Sequence, residues 1–246
     1  MTAHVEPKLL ELVEHDRDHE CPGFGPDKVC VRMVAVAHLP TRSGNFQIVA
    51  FLNNRDQKDH IAIVHGDVVG QSDVVSRLHS ECLTGDVMGS LRCDCRDQLE
   101  ASLQRIAAEP RGVVLYMRQE GRGIGLANKI RAYALQDRGM DTVEANLALG
   151  FRDDERDYAV AAHMLHSLGI ASVQLMTNNP GKVGQLEKHG VKVAARLPHL
   201  LPPNAHNRFY LETKAKRSGH YIDFSGLPRL QEQSDEVRVE GMKTES

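Results

Sequence analysis

Apolar positions along the chain recur with two different periods, and the change from one to the other divides it. Val31–His38 and Phe46–Leu52 are β-branched, apolar runs joined by Pro40-Thr41-Arg42-Ser43-Gly44, which has the composition of a turn; together they predict two paired strands. Ile61–Val64 is a third short apolar run. From residue 96 onward strands and helices alternate. Arg96–Ala108 places Leu99, Leu103 and Ile106 at helical spacing. Gly112–Met117 is short and β-branched, as a buried strand should be. Ile124–Arg138 and Tyr158–Leu168 are helical in pattern and stop at Gly139 and Gly169. Ser172–Met176 is strand-like again, Gly181–His189 is helical up to Gly190, and Val191–Leu197 is a last strand. This succession predicts an α/β fold, a mixed sheet covered by helices, with α+β character in the N-terminal third. The polar residues 1–29, ending in Pro22-Gly23-Phe24-Gly25-Pro26, predict an N-terminal extension. The polar stretch 229–246 predicts a C-terminal tail, leaving 30–228 as the folded unit.

Composition narrows the class. Of 246 residues 41% are apolar but only 4% aromatic, with no Trp, so the core rests on Leu, Val, Ile, Ala and Met. A formal charge of −3 is not that of a general nucleic-acid binder, and an anionic partner must meet a local cluster of positive charge. No run approaches the roughly 18 apolar residues of a membrane helix. Met1–Asp18 has no apolar signal core. Five cysteines, an odd number, give no disulfide framework. The expectation is a cytoplasmic protein, free of membrane, with reduced thiols. In that setting clustered cysteines bind metal more often than they cross-link.

Three cysteines do cluster. Cys93 and Cys95 are two residues apart, a spacing that shares a face on an extended segment, and Cys82 precedes them. Three thiolates without an evident fourth ligand fit a zinc site with a position open for water, whose pKa the metal lowers. A closed structural zinc with His79 as fourth ligand, and plain buried thiols, remain open on spacing alone.

Three loops have the composition of anion sites. Arg118-Gln119-Glu120-Gly121-Arg122-Gly123-Ile124-Gly125 follows a strand and leads into a helix, where backbone N–H groups and Arg118 and Arg122 can meet phosphate. Glu120 there suits a base N–H or a divalent cation instead. Phe151–Asp157 precedes a helix and is rich in acids and arginines, and Thr177-Asn178-Asn179-Pro180-Gly181-Lys182 opens another helix. Each taken alone also fits an ordinary solvated turn.

Arg77-Leu78-His79-Ser80-Glu81-Cys82-Leu83-Thr84-Gly85-Asp86, Ser90–Cys95 and Arg118–Arg122 together closely resemble the signature segments of the GTP cyclohydrolase II family. Lys129-Ile130-Arg131-Ala132-Tyr133, Asp141–Asn146 and Thr177–Pro180 extend the resemblance, which spans roughly residues 31 to 222 with the motifs in the family's order; without the dihydroxybutanone-phosphate synthase domain fused to many relatives, the chain looks like the stand-alone form. It implies a fold like that family's, with 30–228 as the catalytic domain. It further implies hydrolysis of GTP to 2,5-diamino-6-(5-phosphoribosylamino)pyrimidin-4-one, formate and pyrophosphate, the first step of riboflavin biosynthesis. Cys82, Cys93 and Cys95 resemble the ligands of one Zn2+ per subunit, and Mg2+ accompanies the triphosphate. The GTP contacts implied are Arg77, Leu78, His79, Ser80, Glu81, Gln98, Glu120, Gly121, Arg122, Thr142, Thr177 and Lys182. Asp154 resembles the proton acceptor, Arg156 the nucleophile, and Tyr133 a tyrosine tied to processing of the opened ring. A homodimer is implied, with GTP as the only partner and no nucleic acid. Enzymes stopping at the formylated pyrimidine, and non-catalytic nucleotide sensors, are the competing readings.

Overall fold

In a computed structural model, which describes residues 5–17, 23, 28–204, 206–219 and 221, seven strands make one sheet. They are β1 (Val31–Thr41), β2 (Gly44–Asn53), β3 (His60–His65), β4 (Val74–Ser80), β5 (Gly112–Met117), β6 (Val173–Met176) and β7 (Val193–Leu197). Their spatial order is β1-β2-β3-β5-β4-β6-β7. The pairs β1–β2, β2–β3 and β3–β5 are antiparallel, whereas β5, β4, β6 and β7 are mutually parallel. The mixed α/β sheet expected from the sequence is therefore present, with its antiparallel half drawn from the N-terminal third.

The helices are α1 (Pro7–Asp16), α2 (Cys95–Ala107), α3 (Leu126–Gln136), α4 (Thr142–Ala148), α5 (Ala159–Ser167), α6 (Pro180–Lys188) and α7 (Arg208–Ser218). The connection from β4 to β5 passes through α2, and the return from β5 to β6 passes through α5 and crosses β4. Right-handed crossovers in opposite directions put their helices on opposite faces. Accordingly, Leu99, Leu103 and Ile106 of α2 pack with Val75, Val114 and Met176 on one face. Leu9 of α1, Val160 and Leu165 of α5 and Leu186 of α6 pack with Leu78, Leu115 and Val64 on the other.

The structure departs from the sequence reading in several places. Residues 7–16, within the predicted extension, form a helix whose Leu9 is fully buried. β4, α4 and α7 lie where no element was predicted. The last strand begins at Val193 rather than Val191, and α3 occupies only Leu126–Gln136 of the predicted Ile124–Arg138. The expected tail 229–246 lies outside the described residues. Among the described residues no helix is long and apolar enough to cross a membrane.

Candidate active site

The parallel strands β4, β5 and β6 end at one edge of the sheet. Strands leaving a sheet in opposite connection senses open a crevice at their carboxyl ends, the usual place for ligands in such sheets. Ser80 ends β4, and Glu81 and Cys82 lead into a five-residue π-helical turn, Leu83–Val87. Cys82 sulfur accepts the Gly85 amide at 3.3 Å, fixing the turn. The expected extended segment at Cys93–Cys95 is not formed. Cys95 is the first residue of α2 and Asp94 its N-cap, so the bend into the helix, not strand alternation, brings the two thiols round.

The Cys82, Cys93 and Cys95 sulfurs lie within 4.8 Å of one another, those of Cys82 and Cys93 at 3.7 Å. A Cβ on Gly85 would stand 2.8 Å from Cys93 sulfur and 3.0 Å from Cys82 sulfur, so glycine keeps that space clear. The Cys82 thiol is held well down by hydrogen bonds from Cys93 and Cys95, against burial and with help from Lys129. Those same bonds to Cys82 push Cys93 up to about 11 and raise Cys95 too. Ionisation of one thiol thus opposes that of its neighbours, and a cation among them would favour all three as thiolates. The donor set fits a soft, thiophilic metal. Among the described residues no fourth His, Cys, Asp or Glu joins the group. His79 is engaged elsewhere: Nε2 lies 3.1 Å from Asp86, and its ring stacks on Tyr116. The closed site with His79 as a ligand is thus not assembled.

The thiols form part of the wall of a cavity of about 410 Å³, with Glu81, Glu120, Arg122, Tyr133 and Thr142 among its other walls. Lys129 is buried there between charges, its Nζ donating to Glu120 Oε1 at 2.7 Å and to Cys82 sulfur at 3.1 Å. The other oxygen of Glu120 accepts the Leu83 amide at 2.7 Å. Glu120 therefore ties its own 3-10 turn, Glu120–Gly123, to the cysteine turn. In that 3-10 turn Arg122 adopts φ 58°, a left-handed conformation that costs a non-glycine residue about 1 kcal/mol or more. The strain is held by the Arg122–Asp153 ion pair and by the Glu155 amide donating to the Arg122 carbonyl at 3.0 Å. Tyr133 hydroxyl lies 3.3 Å from Thr84 Oγ1, and burial raises its pKa. Thr142 opens α4 behind a capping box of Asp141 and Glu144.

A second cavity, about 100 Å³, adjoins the first and shares Ser80, Cys95, Arg122, Arg156 and Tyr210 with it. Five cationic side chains line it, Arg77, Arg122, Arg156, Lys182 and Lys214, against the single carboxylate of Asp94. Arg77 donates to the Met176 carbonyl at 2.9 Å and to Gln98 Oε1 at 2.5 Å, and burial lowers its pKa to about 10. Lys182 Nζ donates to the Leu78 carbonyl at 2.7 Å. Its pKa is driven well down by burial and then by the charges of Arg77 and Arg156. Such crowding of buried cations is relieved by an anion. Thr177 and Asn179 shape the N-terminus of α6 beside them, Thr177 Oγ1 accepting the Asn179 amide at 3.0 Å. Arg156 Nε and Nη2 donate to the two oxygens of Asp154 at 2.8 and 2.5 Å, while Nη1 reaches Ser80 Oγ at 3.3 Å.

Of the residues singled out in the sequence, Leu78 and Asp154 line neither cavity. Leu78 buries its side chain in the core and offers only its carbonyl, to Lys182. Asp154 stands behind Arg156. Arg118 is half exposed, 3.9 Å from Glu81, and also lines neither cavity. The sequence reading missed Lys129, Asp94, Tyr210 and Lys214. Three of these carried a signal: Lys129 precedes Tyr133 by four residues, as Tyr210 precedes Lys214, and that spacing shares a helix face.

A sequence profile described as GTP cyclohydrolase II matches residues 32–198. A GTP cyclohydrolase-2 of Picrophilus torridus is 57% identical over 190 residues, covering 77% of this chain and 98% of that one. Those of Tolumonas auensis and Proteus mirabilis are 56% and 55% identical over 192 residues, covering 78% of this chain and 98% and 96% of theirs. A crystal structure of a two-domain 3,4-dihydroxy-2-butanone 4-phosphate synthase from A. baumannii is 15% identical at a TM-score of 0.34, the match covering 68% of this chain and 37% of that one. Profile and relatives agree with the signature segments gathered at the strand ends: the chain belongs to the GTP cyclohydrolase II family.

Proposed function

We propose that the chain hydrolyses GTP to formate, pyrophosphate and 2,5-diamino-6-(5-phosphoribosylamino)pyrimidin-4-one, the entry step of riboflavin biosynthesis, as a cytoplasmic homodimer with 30–228 as its catalytic domain. The observation that carries this reading is the pairing of two adjoining cavities. One is walled by three thiols and the other is lined by five cations. Guanine fits the first and the triphosphate the second. Cys82, Cys93 and Cys95 hold zinc in this reading, which supplies the Lewis acidity that makes a water nucleophilic near neutral pH. Magnesium enters with the phosphate oxygens that bind it.

The remaining roles belong to the chain's own side chains. Glu81 and Glu120 border the guanine cavity as acceptors for base N–H groups, and Gly121 and Thr142 line the same cavity. Burial raises the pKa of Glu81. Arg122 lies at the junction, while Arg77, Lys182 and Thr177 reach the phosphates. Gln98 holds Arg77 in place, and His79, through Asp86, braces the Cys82 amide at the cysteine turn. Tyr133, beside Thr84, faces the opened ring. Arg156 meets the α-phosphate from the wall common to both cavities. Burial lowers its pKa, but Tyr158 and Asp154 outweigh that and hold it above the ordinary value. In the resting state Arg156 is therefore a cationic clamp, and Asp154 is the base that would take its proton if covalent attack occurs.

Mass spectrometry of the products from GTP with magnesium and zinc tests the reading. Formate, pyrophosphate and the diaminopyrimidine phosphate together support it. A formylated product moves the chain to the truncated reaction, and unchanged GTP with folded, zinc-loaded protein moves it to a sensor.

A further inference from the structure

The helix α7 lies beyond residues 32–198, the segment matched by the family profile, yet it walls both cavities. Tyr210 borders the two of them, and Lys214 lines the cationic one. Buried Leu211 and the pairing of Arg217 with Asp141 of the α4 capping box, at 3.4 Å, anchor the helix. Lys214 Nζ stands over the Tyr210 ring, 4.1 Å from its centroid, and 3.5 Å from Asp94 Oδ1. The other Asp94 oxygen is taken by Gln98 Nε2 at 2.5 Å. Asp94 thus faces the Lys214 ammonium with one oxygen at long range, and that oxygen has no hydrogen-bond partner among the described residues. An ammonium has three N–H donors, and Lys214, set between the Tyr210 ring and the Asp94 carboxylate, lines the cationic cavity.

Resting on the proposed reaction, we infer that α7 is part of the substrate site and that Lys214 binds a phosphate oxygen of the triphosphate, with Tyr210 holding the ammonium in place. Lys214 works beside Arg77 and Lys182. Asp94, the residue between two of the thiols, orients it from the α2 side. This links the phosphate end of the site to the turn that carries Cys93 and Cys95.

The test separates the phosphates from the base. Binding of inorganic tripolyphosphate with magnesium, and separately of guanosine, is measured by titration calorimetry on the zinc-loaded full chain and on K214Q and K214R. The proposal expects K214Q to bind tripolyphosphate roughly tenfold or more weakly, the loss typical of a charge-assisted bond, with guanosine binding unchanged. K214R, which keeps the charge, retains most of the affinity. Equal tripolyphosphate affinity in K214Q and wild type overturns the proposal. So does a matched fall for both ligands in both variants, which marks α7 as scaffold. Failure of the parent reading looks different: wild type would bind tripolyphosphate in a Lys214-dependent way yet release no formate from GTP.

Discussion

Lys129 shows how much a single side chain organises here. It is 9% exposed and bridges a thiol of the proposed metal site and the carboxylate of Glu120. Three thiolates around a dication leave a net negative charge, and one ammonium beside Cys82 offsets it. Partners of that kind are typically worth tenfold to a hundredfold in metal affinity. K129M is therefore expected to lose zinc to a chromogenic chelator at roughly tenfold lower chelator concentration than wild type, with K129R intermediate. Unchanged retention would remove Lys129 from the metal's support. Arg156 belongs to the same scale. With two bonds to Asp154 and one to Ser80, it is pre-aimed from the shared wall of the cavities. R156A is expected to cut pyrophosphate release by about a hundredfold or more, as loss of a pre-organised charge does. Trapping of a guanylyl adduct on wild-type protein decides whether Arg156 also attacks; normal pyrophosphate release by R156A would remove it from the chemistry altogether.

At the level of elements, α1 gives the clearest prediction. Leu9 is fully buried and packs with Leu12 and Val13, at i+3 and i+4, against the sheet. Asp16 caps the contact by accepting the Met33 amide at 2.9 Å. Truncating a buried leucine costs about 2–5 kcal/mol. L9A should lose that much in urea unfolding, whereas L10A, at a position 44% exposed, should lose under about 0.5 kcal/mol. Equal effects of the two would mean that the helix is dispensable. The same helix shows where the sequence was legible and where it was not. α2, α3, α5, α6 and six of the seven strands follow from the spacing of apolar residues along the sequence. β4 escaped notice because Ser76, Arg77 and His79 are buried in it, and a strand is recognisable by pattern only when its interior is apolar. Those polar residues are tolerated in the core because each finds a partner: the Val74 carbonyl of the same strand for Ser76, the Met176 carbonyl and Gln98 for Arg77, and Asp86 for His79. α1 carries apolar spacing on a short segment of otherwise polar composition, and α4 is only seven residues long, though its Asp141–Glu144 capping box was readable. At the site, the residue types were legible from their motifs. The convergence of α7 on them depends on tertiary packing that no local pattern encodes.

Across the whole molecule, buried neutral histidines couple stability to pH. His199 joins the β7 end of the sheet to α2, its Nε2 lying 2.9 Å from the Gln98 carbonyl and 3.1 Å from Ser102 Oγ. Burial, with Arg77 adding to it, lowers its pKa from 6.5 to about 4. His79 and His60 are lowered too, mainly by burial. The sign follows from proton counting. Between pH 4 and 6.5 the unfolded chain holds a proton on His199 that the folded chain does not, so stability rises with pH through that window. It is complete above about 6.5 and is lost as the pH falls towards 4, by about 3 kcal/mol for His199 if the whole shift is realised. Asp94 and Asp154, held below their ordinary value, add their own losses only at lower pH. Urea unfolding at pH 7.5 and 4.5 should therefore show a clear fall in wild type. H199Q can still donate to the Gln98 carbonyl but has no proton to gain, so its fall should be smaller. Release of metal at low pH weakens both proteins alike, so the difference between them isolates His199. Equal falls in the two proteins would show that His199 is not the group that couples this sheet edge to pH.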